Sequence, residues 1–259
     1  MKIKILGSAA GLAGLNRYNA SILLQIGSSS YLIDAGEPCS ATLYVSNYNI
    51  FSIKAVFLSH VHPDHIGGLA QLLSVFQMCS SPRGSYKFRP SDKYKVNLYL
   101  PEDSIEASKN FFDMSLGLSE LRYDVNIIPI KEGEFFEDDR LRVSAFPNTH
   151  LQGQSSKSKT SYSFSFECRG KRIVYTGDIG KIEDIIPLLK DEIDLLITEG
   201  VHIPLEDLFS MLSKASIKKV VVTHFHPEFY TQEKKILEIG KRYLNCELLV
   251  AKDNSEIKI

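Results

Sequence analysis

Cysteine is scarce in this chain, and what there is has the wrong spacing for a scaffold. The four residues, Cys39, Cys79, Cys168 and Cys246, stand far apart and form no C-x-x-C pair. This excludes a cysteine zinc finger and argues against a disulfide framework, so reduced thiols in a cytoplasmic protein are expected. An excess of either charge is missing as well. Thirty Lys plus Arg stand against thirty-one Asp plus Glu, for a net charge of -1, so no global field points to nucleic acid or an anionic membrane. No apolar run approaches the length that spans a bilayer, and the start, Met1 to Gly7, lacks the apolar core of a secretory signal. Nor is there a nucleotide fingerprint. Gly7, Gly11 and Gly14 punctuate one loop, but their spacing matches neither the dinucleotide pattern nor the P-loop, and no helix clearly follows. The remaining composition, 44% hydrophobic and 24% charged over 259 residues, suits one soluble domain over 1–259, with no linker and no short-period repeat.

Histidine, by contrast, is concentrated. Three of the seven histidines fall within six positions in Ser59-His60-Val61-His62-Pro63-Asp64-His65-Ile66-Gly67-Gly68, interleaved with Asp64. The preceding Ile53 to Leu58 is short, β-branched and apolar, which predicts a buried strand, and Leu69 to Phe76 carries helical spacing. Four candidate ligands therefore sit on a strand-to-helix turn. Imidazole nitrogens with a carboxylate suit zinc and similar divalent ions, and a tight turn can aim alternate side chains at two neighbouring ions.

Further strands are expected at Ile3–Leu6, Ala20–Ile26, Ser30–Asp34 and Lys95–Leu100, with a helix from Pro101 to about Leu116. A β-meander is expected over Val125–Ile130, Glu134–Phe136 and Leu141–Phe146, then a hairpin, Ser161–Cys168 with Arg172–Thr176, turning at Arg169-Gly170-Lys171. The rest alternates: helices over 181–190, 204–214 and 231–243, strands Leu195–Thr198, Lys219–Thr223 and Glu247–Ala251. His150, Asp178 and His224 each follow one of these strands. Meander followed by alternation is the pattern of an α+β chain with two mixed sheets packed together and helices outside.

The motif H-x-H-x-D-H after an apolar strand resembles the metallo-β-lactamase superfamily, which next requires a lone His, a bridging Asp and a last His; the resemblance implies an α/β-type four-layer αβ/βα sandwich, two mixed sheets flanked by helices. By that resemblance His60, His62 and His150 would hold one metal ion and Asp64, His65 and His224 another, with Asp178 shared. Two divalent ions, Zn2+ or Mn2+, about 3.5 to 4 Å apart can share a hydroxide for hydrolysis, with Asp64 and Asp178 in the catalytic set. Asp34, in Leu32-Ile33-Asp34-Ala35-Gly36-Glu37, resembles the superfamily's supporting Asp, which orients a ligand without binding metal; a plain turn Asp fits its spacing nearly as well. His202 follows a strand on the ligand side and is either the general acid for the leaving group or a loop histidine. His226 either lines the rim or caps the next helix.

The amino-terminal pattern around Gly7, Asn16 to Ser21 and Asp34 looks like the start of ribonuclease Z and of related small cyclic-phosphate phosphodiesterases. Only 28 positions separate His150 from Asp178, too few for the tRNA-gripping arm of bacterial-type ribonuclease Z, which disfavours tRNA. The expected substrate is a small anionic phosphodiester. A lactone or thioester hydrolase, and a relative of the pyrroloquinoline quinone biosynthesis protein, are the alternatives within the superfamily. Arg17 is expected to hold phosphate oxygens, and the stretch Ser81 to Lys95, with Arg83, Lys87 and Arg89 among tyrosines and phenylalanine, either does the same or forms a solvated surface. Residues 151–160 read as a polar lid or as plain disorder. No membrane partner is implied, and a homodimer remains open.

Overall fold

A computed structural model describes residues 1–83, 85–90 and 92–259; Gly84 and Ser91, both in the basic stretch, lie outside the described residues. The first sheet is built from β1 (Lys2–Gly7), β2 (Ser21–Ile26), β3 (Ser29–Ile33), β4 (Ile53–Phe57), β5 (Lys95–Pro101) and β6 (Asp124–Ile130). The second takes β7 (Gly133–Glu137), β8 (Arg142–Asn148), β9 (Ser161–Cys168), β10 (Lys171–Tyr175), β11 (Leu195–Glu199), β12 (Lys219–Thr223) and β13 (Glu247–Val250). A last strand, β14 (Glu256–Lys258), returns to the first sheet beside β1, so each sheet has seven strands, in the orders β14-β1-β2-β3-β4-β5-β6 and β13-β12-β11-β10-β9-β8-β7.

Both sheets are mixed, β3 to β6 and β10 to β13 running parallel and the other neighbours antiparallel. Parallel strands need cover on both faces, which is why β4 and β12 are apolar almost throughout. Alternate residues of β4 divide between two layers. Ala55 and Phe57 enter the core between the sheets with Tyr31, Phe136, Phe164 and Phe166, whereas Val56 faces an outer core with Leu43, Leu72 and Phe76. That outer layer carries α1 (Cys39–Val45), α2 (Pro63–Ile66), α3 (Leu69–Cys79) and α4 (Ile105–Leu116), and α5 (Leu205–Leu212) and α6 (Glu233–Tyr243) cover the second sheet through Leu208, Phe209 and Ile236. The result is helices, sheet, sheet, helices. Phe57 anchors the middle, with six aromatic rings centred 5.2 to 6.5 Å away.

Four expectations are corrected. The meander is split: β6 pairs with β5 and ends the first sheet, and the hairpin of β7 and β8 opens the second, the chain changing sheets at Lys131-Glu132. A two-residue period says that a strand is half-buried but not which sheet receives it. The ligand turn contains one helical turn, α2, before α3. The segment Ile182–Leu189 is a 3-10 helix rather than an α-helix, with Pro187, which has no N–H to donate, inside it. α1 and β14 were not expected at all. The hairpin of β9 and β10 does turn as read, through Arg169 (φ 52°) and Gly170 (φ 71°), the paired positive φ that a two-residue connection favours. Among the described residues no helix is long and apolar enough to cross a membrane.

Candidate metal centre

The strands deliver their polar residues to one edge of the sandwich. From the first sheet, Asp34 follows β3 and His60, His62, Asp64 and His65 follow β4; from the second, His150 follows β8, Asp178 follows β10, Glu199 ends β11 and His224 follows β12. Two of these residues hold a left-handed backbone, Asp34 at φ 55° and His224 at φ 53°, a conformation that costs non-glycine residues on the order of 1 to 3 kcal/mol and concentrates at working sites. Gly177 makes the turn into Asp178 at φ 57°, where a Cβ would lie 2.9 Å from the Tyr162 carbonyl oxygen. Gly7 explains the amino-terminal glycine loop in packing terms, since a Cβ there would lie 1.9 Å from the Asn19 carbonyl oxygen.

The imidazoles converge. His62 Nδ1 lies 3.0 Å from His60 Nε2 and 3.2 Å from His150 Nε2, and on the other side His65 Nε2 and His224 Nε2 are 3.2 Å apart. Asp64 Oδ2 stands 3.2 Å from His224 Nε2. Between the groups, Asp178 presents Oδ2 to His60 and His150 at 3.8 and 3.6 Å, and Oδ1 to His65 and His224 at 3.4 Å each. His60, His62, His150 and Asp178 form one compact donor set, and Asp64, His65 and His224 form another.

The outer nitrogens of three rings are already in use. His65 Nδ1 donates to Asp34 Oδ2 at 2.8 Å, His60 Nδ1 to Ser59 Oγ at 3.0 Å, and His62 Nε2 lies 3.1 Å from Gln154 Oε1. The inner nitrogens of His60 and His62 then face each other as lone pairs, which repel unless a cation sits between them. Asp178 Oδ1 and His224 Nδ1 are buried without a hydrogen-bond partner, which is costly for polar atoms. Protonation follows the same logic. Burial pushes His60 well below its ordinary pKa, and His150 to about 4, so both stay neutral as metal ligands must. At His65 burial pulls the same way, but the Asp178 and Asp34 carboxylates overcome it and raise the pKa well above the ordinary value. Those carboxylates demand positive charge at this ring, which a metal ion supplies as well as a proton. The donor set fits divalent transition metal ions.

Asp34 supports the centre through His65. Its Oδ1 accepts from Ser59 N at 2.7 Å, and its Oδ2 accepts from Ser59 Oγ at 2.9 Å and Tyr175 Oη at 2.7 Å besides His65. Burial, with the Asp34 charge, raises the Tyr175 pKa well above the ordinary value and keeps the phenol a donor.

His202 is exposed at the rim, its ring 4.6 Å from that of His150, and its Nδ1 donates to Glu199 Oε2 at 2.9 Å. Burial would lower its pKa, but the hydrogen bond and charge of Glu199, with the charge of Asp178, raise it. Glu199 is fixed in turn by the backbone N–H groups of Ile179, Val201 and His202. His226 is exposed and lies outside the donor sets, 3.7 Å from Glu228.

The expected phosphate ligands make contacts of their own. The Arg17 guanidinium is buried, bonded to Ser8 Oγ and the Ala251 carbonyl and lying over Phe225 and Tyr230, so its charge is used inside the fold. Lys87 bonds Asn47, two residues past the far end of α1, and at ~1.5 Å per residue that helix carries it roughly 10 Å from the end that packs near Gly68. Arg89 bonds the Ser81 carbonyl, and exposed Arg83 bonds Ser81 Oγ through its backbone N–H. None of these contacts reaches a donor set. Residues 151–160 are anchored rather than loose: Asp103 accepts from Ser158 Oγ, Lys159 N, Thr160 N and Thr160 Oγ1 at 2.7 to 3.2 Å. Glu199, Gln154 and Asp103 escaped the sequence reading. Of these only Glu199 carried a signal, as an acid ending an apolar strand three residues before a histidine.

Among solved structures, the metallo-β-lactamase fold protein YhfI from Bacillus subtilis superposes with a TM-score of 0.77 at 19% identity, covering 99% of this chain and 98% of that one. Zn2+-bound PqqB from Methylobacterium extorquens gives 0.74 at 17% identity, with 100% of both chains covered. Ribonuclease Z of Archaeoglobus fulgidus is 20% identical, across 100% of this chain and 97% of the relative. A family model described as Anti-Pycsar protein Apyc1 matches residues 1–242. With its two sheets, outer helices and paired donor sets, the chain has the metallo-β-lactamase fold and belongs to the Anti-Pycsar protein Apyc1 family.

Proposed function

We propose that this metal-dependent hydrolase holds two divalent ions, Zn2+ or Mn2+, and cleaves a small cyclic or nucleotide-like phosphodiester. The observation that carries the reading is Asp178, a buried carboxylate with one oxygen turned to each donor set. His60, His62 and His150 would hold one ion and Asp64, His65 and His224 the other. When bound, such a pair supplies Lewis acidity at phosphoryl oxygens and activates water for attack at phosphorus.

The chain's own groups do the rest. Nδ1–H of His202 donates to Glu199, whose charge raises the pKa and favours the imidazolium, so Nε2–H is the proton offered to the departing alkoxide. A thiolate leaving group needs no such acid, so the dyad favours an alkoxide leaving group over a thioester. Relatives named ribonuclease Z support chemistry at phosphorus. Residues 151–160 fold back on Asp103 and the His150 carbonyl as a short loop before β9, which supports a small substrate over a tRNA. The four free thiols suit a reducing, cytoplasmic setting, and the substrate would be a small anion rather than a membrane.

Protein loaded with Zn2+ or Mn2+ should be assayed on a cyclic nucleotide, bis-p-nitrophenyl phosphate, a lactone, a thioester and a precursor tRNA. Turnover of the first two is expected. Turnover confined to the lactone or thioester would overturn the phosphodiester reading, and absence of bound metal after loading would overturn the centre itself.

A further inference from the structure

We infer that Gln154 is the positioning residue for His62, fixing which ring nitrogen faces the centre; this rests on the reading of His62 as a metal ligand. The Gln154 amide nitrogen lies 2.7 Å from the His150 carbonyl oxygen, which can only accept, so the NH2 end of the amide must point there. The amide oxygen is then the atom facing His62 Nε2 at 3.1 Å, and that nitrogen must carry the hydrogen. Nδ1 is left with its lone pair, aimed between His60 Nε2 and His150 Nε2. One side chain thus sets the tautomer of one ligand while holding the main chain of another.

His62 needs such a partner more than its neighbours do. His60 and His65 are fully buried, with Ser59 and Asp34 behind them, but His62 is part-exposed and its outer nitrogen looks toward solvent. Without Gln154 the ring would rotate and exchange tautomers in water. The placement of Gln154 is itself determined: it lies four residues past His150 in a turn closed by Gln152 N to the Thr149 carbonyl, and the far end of the segment is tied down by the four bonds to Asp103.

The test compares Gln154→Ala, Gln154→Glu and His62→Ala by Zn2+ affinity in competition with a chromophoric chelator, together with the His62 tautomer read from ring nitrogen shifts in the metal-free protein. Gln154→Ala should weaken the affected site roughly 10 to 100-fold, the usual cost of losing a partner that orients a ligand, and should mix the tautomers. Gln154→Glu keeps an acceptor opposite Nε2 but gives up the bond to the His150 carbonyl, so it should keep the Nε2–H tautomer and restore part of the affinity. If His62→Ala loses an ion while Gln154→Ala binds normally, or if Gln154→Ala and Gln154→Glu are equally weakened, Gln154 does not position the ring. If His62→Ala itself leaves zinc content unchanged, the reading of the centre fails instead.

Discussion

Asp34→Asn is the sharpest test of how the centre is supported, because every donor around that carboxylate is visible. Asp34 accepts four hydrogen bonds, one at Oδ1 from Ser59 N and three at Oδ2 from Ser59 Oγ, His65 Nδ1 and Tyr175 Oη. Asparagine has one acceptor oxygen, and the less damaging orientation keeps it at the three-donor position. Its NH2 group then faces Ser59 N across 2.7 Å, donor against donor. A buried group left unpaired costs roughly 1 to 3 kcal/mol, and the three surviving bonds lose charge assistance worth about 1 kcal/mol each. Removing a buried charge returns part of that, which leaves a net loss of about 3 to 5 kcal/mol. For a domain of this size the melting temperature should fall on the order of 10 °C. Differential scanning fluorimetry in excess chelator isolates this effect from metal binding, and the same series with zinc should show affinity reduced roughly 10 to 100-fold without loss of the sites. A chelated Tm within about 2 °C of wild type, or unchanged zinc affinity, would refute the accounting.

Asp178→Asn removes charge from both donor sets, so elemental analysis should find metal content well below wild type and activity near background; full occupancy with normal turnover would end the bridging assignment. His202→Ala should keep its metal but lose kcat on a substrate with an alkoxide leaving group, recovering on a p-nitrophenyl ester whose leaving group needs no proton, and Glu199→Gln should give a milder form of the same split. Equal losses on both substrates would remove His202 from the role of acid. At Asp194 partial burial would raise the pKa, but the Arg172 N–H and the Lys171 and Lys218 ammonium groups hold it at about 2. That contribution to stability is present above the ordinary aspartate range and is lost as pH falls from about 4 toward 2, so the Tm gap between wild type and Asp194→Asn should close over that interval and stay constant above it. A gap that persists at pH 2 would show that the carboxylate charge is not its source.

The ligand turn was legible because its chemistry is local: four donors in six positions behind an apolar strand leave little else to conclude. His150, Asp178 and His224 were legible for a related reason, each standing just past a strand whose own pattern was clear. Gln154 was not, because its meaning depends on a ring nitrogen 92 positions away and a polar loop has no periodicity to place it. Arg17 misled through its charge. An arginine beside a glycine-rich loop reads as a phosphate ligand, yet here two aromatic rings and a carbonyl surround it. The division of β6 and β7 between sheets was hidden for a physical reason, since alternation reports burial on a face and both sheets offer the same face to the common core. β14 spans only three residues, two of them charged and exposed, too short for any pattern to show.

Because the donors come from both sheets, the edge where they meet is also a latch between the two halves of the molecule. The β4 turn brings four of them and the second sheet brings His150, Asp178 and His224, so an ion held there closes the sandwich at one edge, as the aromatic packing around Phe57 closes it in the middle. Binding and closure are then a single linked equilibrium, and linkage runs in both directions with the same factor. Whatever loosens the packing of Phe57 against Phe136 and Phe166 must loosen the grip on the ion, although none of these side chains touches it. A search for variants with weakened metal affinity should therefore return buried phenylalanines alongside histidines, and their effects should be those of a door that no longer shuts rather than of a missing lock.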